Sequence, residues 1–221
     1  LGNAGGGRIE KMSSLSPDII PRTIENLKKN GMEALYFPTA VEAREEVLKR
    51  IPPAAKVGIG GSMTLREMGL LEVLRQRGNE VYDHWKEGLS KEERRAVGKN
   101  HPRADFFVTS TNALTVDGKL INVDATGNRV SSMVFGPEKV IVVAGLNKIV
   151  KNLNQGLARL KKVAAPRNCQ RRKDPTPCAQ DLICRDCDSP ARLCRVTTII
   201  ERRPWGIKEF AVILVGEELG Y

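Results

Sequence analysis

Four short polar stretches and one run of cysteines hold the residue types that do chemistry in this chain. The first stretch is Gly60-Gly61-Ser62-Met63-Thr64, which follows the apolar Val57-Gly58-Ile59. Paired glycines permit backbone dihedrals that a side chain forbids, and Ser62 or Thr64 can cap a following helix. A strand, a tight turn and a helix start leave backbone N–H groups aimed at one spot, which favours an anion. The stretch is not a Walker loop, since no Gly-Lys-Ser/Thr follows. Nor is it G-x-G-x-x-G, since Met63 stands where the third glycine belongs. A plain βα turn that binds nothing is the competing reading.

The other three stretches are Thr109-Ser110-Thr111-Asn112, the segment Asn122 to Arg129, and Gly145-Leu146-Asn147-Lys148. Each follows an apolar run that reads as a strand, and ligands of open α/β sheets bind beyond the carboxyl ends of strands. Gly60, Gly61, Ser62 and Thr64 are therefore candidate ligand-binding residues. Thr111, Asn112, Asn122 and Gly127 join them, as do Asn128, Arg129 and Asn147. Their amides and hydroxyls, with the cations of Arg129 and Lys148, suit a ligand carrying phosphate or carboxylate. Taken singly, Asn122, Asn128 and Asn147 are equally turn or cap residues. Asp124 is the carboxylate placed to act as a general base, with the cap of a helix near Asn128 as its other reading. Lys148 is the candidate electrostatic stabiliser. His84 and His101 have no Ser or Cys partner nearby and read as structural or surface residues.

All five cysteines fall between Cys169 and Cys194. An odd count in a chain of cytoplasmic character argues against a disulfide framework and for metal or redox chemistry. The pattern Cys178-x5-Cys184-x2-Cys187-x6-Cys194 offers four ligands, and its Cys-x2-Cys pair can chelate through one turn. Cys169 is the spare. The candidate groups are zinc or a 4Fe-4S cluster, with a redox dithiol or plain thiols as alternatives. Arg185, Arg192 and Arg195 would offset thiolate charge, and a stretch so poor in apolar residues needs something to order it.

The elements that must position these residues follow from periodicity and punctuation. The chain has 221 residues, 41% of them hydrophobic and 28% charged, which is ordinary for a globular protein. Residues 1–11 read as a disordered leader with the true start at Met12, and 12–221 as one α/β domain. Ser16-Pro17 opens a first helix. Thr39 with Glu42, and Ser90 with Glu93, are capping boxes. Strand 56–59 precedes a helix over 64–76, and Asp117-Gly118 turns a hairpin within 113–123. Asn147 is expected to cap a helix carrying Ile149, Val150, Leu153, Leu157 and Leu160. Residues 164–195 read as a loop-like, cysteine-rich insertion. Thr197 to Glu201 and Phe210 to Val215 read as a final strand pair. Alternating strands and helices predict a mostly parallel, Rossmann-like sheet flanked by helices, with an antiparallel hairpin.

No run approaches the roughly 18–20 apolar residues of a membrane span, and no secretory signal is visible, so the expected compartment is the cytoplasm. The net charge of +10 suits nucleic acid, an anionic small molecule or an acidic partner. Aromatic residues are only 5% and no zinc-finger or RNP-like pattern occurs, which disfavours nucleic acid.

Thr111-Asn112-Ala113, the hairpin Asp117 to Asp124, Thr126 to Val130, Phe135-Gly136-Pro137 and Val140 to Val150 together resemble the lactate-utilisation (LUD) domain family. The branch with a cysteine-bearing loop near its end is the most similar. The resemblance implies the fold shared by ribose-5-phosphate isomerases and CoA transferases. Gly58 to Thr64 is similar to the phosphate loop of those isomerases, and Asn147-Lys148-Ile149-Val150 to a Ser-Lys-Leu-Val segment. The Glu-Lys pair of the isomerases and the glutamate loop of the transferases are missing, so the shared fold does not carry the reaction over. The family implies work in oxidising lactate or a similar 2-hydroxy acid beside iron–sulfur redox partner proteins, which tilts the cysteine site toward iron–sulfur. A sugar-phosphate isomerase- or transferase-like enzyme, and a non-catalytic subunit of an iron–sulfur complex, are the alternative functions.

Overall fold

The computed structural model describes residues 18–221. The leader, the start at Met12 and the Ser16-Pro17 cap lie outside the described residues. Helix α1 (Ile19–Lys29) leads into β1 (Glu33–Phe37), and α2 (Ala40–Arg50) follows. Thr39 Oγ1 accepts the Glu42 N–H at 3.2 Å and the Glu42 carboxylate accepts the Thr39 N–H at 3.0 Å, which completes the first capping box. Strand β2 (Lys56–Ile59) runs into the glycine turn. The helix expected over 64–76 is two helices, α3 (Met63–Glu67) and α4 (Leu70–Gln76), broken where Gly69 takes a φ of 65°.

Next come β3 (Glu80–Asp83), α5 (Lys91–Asn100) and β4 (Phe106–Thr109), with the Ser90–Glu93 capping box opening α5. The hairpin is β5 (Ala113–Thr115) and β6 (Leu120–Asp124). Helix α6 (Asn128–Val134) and β7 (Lys139–Gly145) follow it. The chain continues through β8 (Ile149–Val150) and α7 (Leu153–Arg159), then a π-helical turn at Leu160–Ala164. It ends with α8 (Ala165–Arg172), α9 (Pro177–Asp181), β9 (Val196–Ile200) and β10 (Glu209–Val215).

Six strands form one parallel sheet in the order β1-β10-β7-β4-β2-β3. Side chains alternate across it, and both faces are covered. Ile141, Val143, Ile213 and Val215 pack with Leu65, Leu71 and Leu74 of the helices on one face. Val140, Val142, Val212 and Leu214 pack on the other with Leu27 of α1 and with Leu114, Leu120 and Ile200 of a second sheet. That second sheet has the order β8-β5-β6-β9 and is mixed. No helix among the described residues is long and apolar enough to cross a membrane.

Three expectations about local structure are corrected. Asn147 does not cap a helix. Leu146–Lys148 is a single 3-10 turn, Ile149-Val150 pairs with β5, and Asn152 caps α7 by accepting the Gln155 N–H at 3.0 Å. Residues 164–195 are not all loop, because α8 continues the helical path to Arg172. Pro166, which lacks an N–H, sits at the start of α8 just after the π turn, where the regular ladder is already interrupted. Finally, 197–201 and 210–215 do not pair with each other. Phe210 to Val215 is apolar on both faces and is buried between β1 and β7, while the half-exposed β9 joins β6 at the edge of the small sheet.

Candidate functional site

Because the large sheet is parallel, its strands all present their carboxyl ends on one side. The turns after β2, β4 and β7 gather there, with the β6–α6 turn of the second sheet beside them. A cleft of about 1250 Å³ opens between these turns, α5 and α8. The 3-10 turn after β7 delivers Lys148 to its wall, where the side chain is only 3% exposed. Lys148 Nζ donates to Thr64 Oγ1 and to Ser110 Oγ, each at 2.8 Å. Burial, reinforced by the Arg159 and Arg129 guanidinium groups, pushes its amine well below the usual lysine range, with Glu67 opposing.

Arg129, at the first turn of α6, organises the adjoining wall. Its Nε and Nη2 both donate to Asp124 Oδ1, at 2.9 and 2.6 Å. Nη1 donates to Asn122 Oδ1 and the Ser110 carbonyl, and Nη2 also reaches Asn112 Oδ1 at 2.7 Å. Asp124 Oδ2 accepts the Val130 N–H at 3.1 Å, so the carboxylate caps α6 as well. Gly127 makes this turn possible with a φ of 83°. Asn112 Oδ1 further accepts the Val123 N–H at 2.9 Å. Arg159, held on the Asn112 and Asn147 carbonyls, has its own pKa lowered to about 10 by burial and by Arg167.

The glycine turn is shaped by close approach. A Cβ on Gly60 would run into the Thr109 side chain, and one on Gly61 into the Trp85 indole. Ser62 caps α3 by accepting the Leu65 N–H at 3.3 Å. The Arg171 guanidinium lies 3.8 Å from the Trp85 ring centroid, so Trp85 braces the turn against α8. The outer cleft is basic: Lys91, Arg94, Arg95 and Lys99 come from α5, and Arg171 and Arg172 from α8.

Of the residues singled out from sequence, Gly61, Ser62, Thr111, Asn112, Gly127 and Asn128 line the cleft. So do Asp124, Arg129 and Lys148. Gly60, Thr64, Asn122 and Asn147 lie behind that wall. Thr64 supports Lys148. Asn147 holds the chain end, its Nδ2 donating to the Gly220 carbonyl at 3.0 Å. Sequence reasoning missed His84, Trp85 and the basic residues of α5 and α8. The run of cations on α5 was visible but is indistinguishable from a solvated face until β3 and α8 are placed.

The cysteines converge. All five, including the supposed spare Cys169, line one cavity of about 30 Å³, and Leu193 and Cys194 line both this cavity and the cleft. Arg192 folds the loop by donating to the Cys187 and Cys194 carbonyls at 2.7 and 3.0 Å. Burial pushes the Cys169 thiol up to about 12 and raises that of Cys194, which Arg192 opposes. Among the described residues, no three His, Cys, Asp or Glu side chains stand close enough together to hold a metal ion. The donor set fits a soft, thiolate-seeking metal in kind, and the cysteines ring a cavity without closing on one point.

Fold and site together define an α/β protein with a basic cleft at the carboxyl edge of a parallel sheet. The chain belongs to the LUD domain family, which matches residues 20–215. It is similar to a DUF162 family protein from Deinococcus radiodurans, at 15% identity, with 91% of this chain and 99% of that chain covered and a TM-score of 0.54. That likeness supports the fold. A second similar structure, ribose 5-phosphate isomerase from Plasmodium falciparum, has a TM-score of 0.31 at 16% identity over 51% of this chain and 52% of that one, too low to carry an argument. No curated protein sequence matches the chain.

The Arg129 network gives a direct prediction. Arg129→Met should cost about 3–5 kcal/mol in urea unfolding, because it strands the buried Asp124 carboxylate. Arg129→Lys should recover only part of this, since an ammonium lacks the fork that spans Asp124, Asn112 and Asn122. A loss below about 1 kcal/mol for Arg129→Met would refute the structural weight given to this hub.

Proposed function

We propose that this LUD-domain protein serves the utilisation of lactate or a related 2-hydroxy acid by binding an anionic small molecule in the cleft. The observation that carries the reading is Lys148, buried in the cleft wall between two hydroxyls and pressed by two guanidinium groups. A buried amine pressed by two guanidinium groups, with Glu67 opposing them, is completed by an anion from outside. The basic rim of α5 and α8 steers such a ligand in. Asp124 takes a positioning role in this reading, because both its oxygens are engaged by Arg129 and the Val130 amide.

The cysteine cavity is the second half of the proposal. Cys178, Cys184, Cys187 and Cys194 are the ligands for a metal or iron–sulfur group, with Cys169 in reserve at the same cavity. Bound there, an iron–sulfur cluster would supply electron transfer and zinc a structural clip. The shared wall of Leu193 and Cys194 would set such a group beside the cleft. Iron–sulfur proteins are the partners this arrangement would serve.

Two outcomes are expected. Sulfate and phosphate should raise the melting temperature of the wild-type protein and leave that of Lys148→Met unmoved. Equal stabilisation of both proteins would remove Lys148 from the site. Protein purified without oxygen should carry iron and sulfide, or zinc, that Cys178→Ser and Cys187→Ser lose. Metal-free wild-type protein would return the cysteines to plain thiols.

A further inference from the structure

The two sheets end on β1 and β3 in the large one and on β8 and β9 in the small one. A sheet edge presents unpaired N–H and C=O groups, and folded proteins blunt it with charge, brevity or cover. Three of these edges are blunted. β1 opens on Glu33, paired with Arg50 at 2.6 Å. β3 begins and ends on the carboxylates Glu80 and Asp83, and β8 is two residues long. β9 has no such protection. Val196-Thr197-Thr198-Ile199-Ile200 holds no charge, proline or glycine, and every residue is a strong strand former. Its backbone pairs with β6 on one side, and among the described residues it bonds to no other element.

The side chains of β9 alternate across the sheet. Ile200 turns inward, 4% exposed, and packs with Leu120 and Val212. Thr197 and Ile199 take the opposite face, where Ile199 is 40% exposed. Period two puts the flanking Arg195 and Glu201 on that outer face as well. The Arg195 guanidinium donates to the Arg192 and Pro190 carbonyls and meets no carboxylate. Glu201 reaches Lys119 at 3.4 Å on the β6 side, its side chain 66% exposed. The edge therefore reads cation, uncharged β-branched run, anion, and that order is complementary to itself when reversed. A second copy turned antiparallel about Thr198 sets Arg195 opposite the partner's Glu201 and Thr197 opposite the partner's Ile199.

We propose that β9 is a self-association edge, and that two copies of this chain pair β9 to β9 antiparallel about a twofold axis at Thr198. The small sheets of the two copies then run on as one. The twofold axis makes the contact isologous, so each copy caps the edge of the other and no free strand is left to recruit a third. The pairing brings the Cys194 end of one β9 against the 201 end of the other. It stands apart from the cleft and from the cysteine cavity, and no ligand is needed for it.

Sedimentation of the wild-type protein under reducing conditions tests this, with amide hydrogen exchange as the local readout. A dimer should form in the micromolar range, because two short strands bury less than a standard interface. Exchange at 197–199 should slow as protein concentration rises. Ile199→Lys, a change at an exposed position, places a second cation near the partner's Arg195 and should leave a folded monomer. Glu201→Arg sets like charges opposite one another at both ends of the pairing and should weaken the dimer about tenfold. Adding Arg195→Glu to Glu201→Arg restores opposite charges and should recover most of that loss. A wild-type protein that stays monomeric at every concentration overturns the proposal. So does a dimer that Ile199→Lys leaves intact, which would lie on another face, and so does a charge swap that recovers nothing, which would contradict the register.

Discussion

A lysine amine buried against two hydroxyl groups, with arginines on either side, is a local excess of positive charge. Everything around Lys148 serves to hold that excess in place. The β7 strand and the turn after it carry the residue inward. Thr64 from the glycine turn and Ser110 from the end of β4 receive its protons. Arg129 is committed to Asp124, Asn112 and Asn122, so it adds a cation nearby while its own counter-charge is spent. Burial disfavours the charged amine by removing water, and neighbouring cations disfavour it further. An anion bound in the cleft, as proposed, would favour the charged amine against both effects.

Around that centre the structure separates load from access. Asp124, the most chemical-looking residue of the β6–α6 turn, is spent on Arg129 and on capping α6. His84, which looks inert in the sequence, stands on the cleft wall. The cysteine loop is tied to the same turn, since the Arg195 N–H donates to the Asp124 carbonyl at 3.1 Å and β9 pairs with β6 from there on. Leu193 and Cys194, at the root of that pairing, face cavity and cleft together. The cysteine cavity and the cleft are thus joined through a short connection.

Much of this was legible in the residues. The glycine turn, both capping boxes, the Asp-Gly hairpin and the parallel α/β class follow from local signals whose physics is local. The departures share a cause, which is that the deciding partner lies far away in the chain. Ile149-Val150 is apolar in a helix or a strand alike, and pairing with Leu114 and Thr115 makes it a strand. Phe210 to Val215 is plainly a buried strand, but nothing nearby says that β1 and β7 are its neighbours. Cys169 read as the spare cysteine, ahead of the charged Gln170-Arg171-Arg172-Lys173. On α8 it turns inward, 1% exposed, while the charges turn out. His84 reads as structural in the sequence, and its place on the cleft wall follows only once β3 is set beside β2.

The most direct measurement is proton exchange on anion binding. Sulfate would be titrated calorimetrically into the wild-type protein in buffers of different ionisation heat, across about pH 6 to 10. Free Lys148 has a pKa depressed below that of an ordinary lysine, and a bound anion raises it. Binding above the depressed value therefore draws a proton onto the amine. The account predicts net uptake approaching one proton per sulfate between the free-state and bound-state pKa values, fading on either side of that window, and absent in Lys148→Met. Sulfate binding with no proton uptake at any pH, or uptake that persists in Lys148→Met, would contradict it.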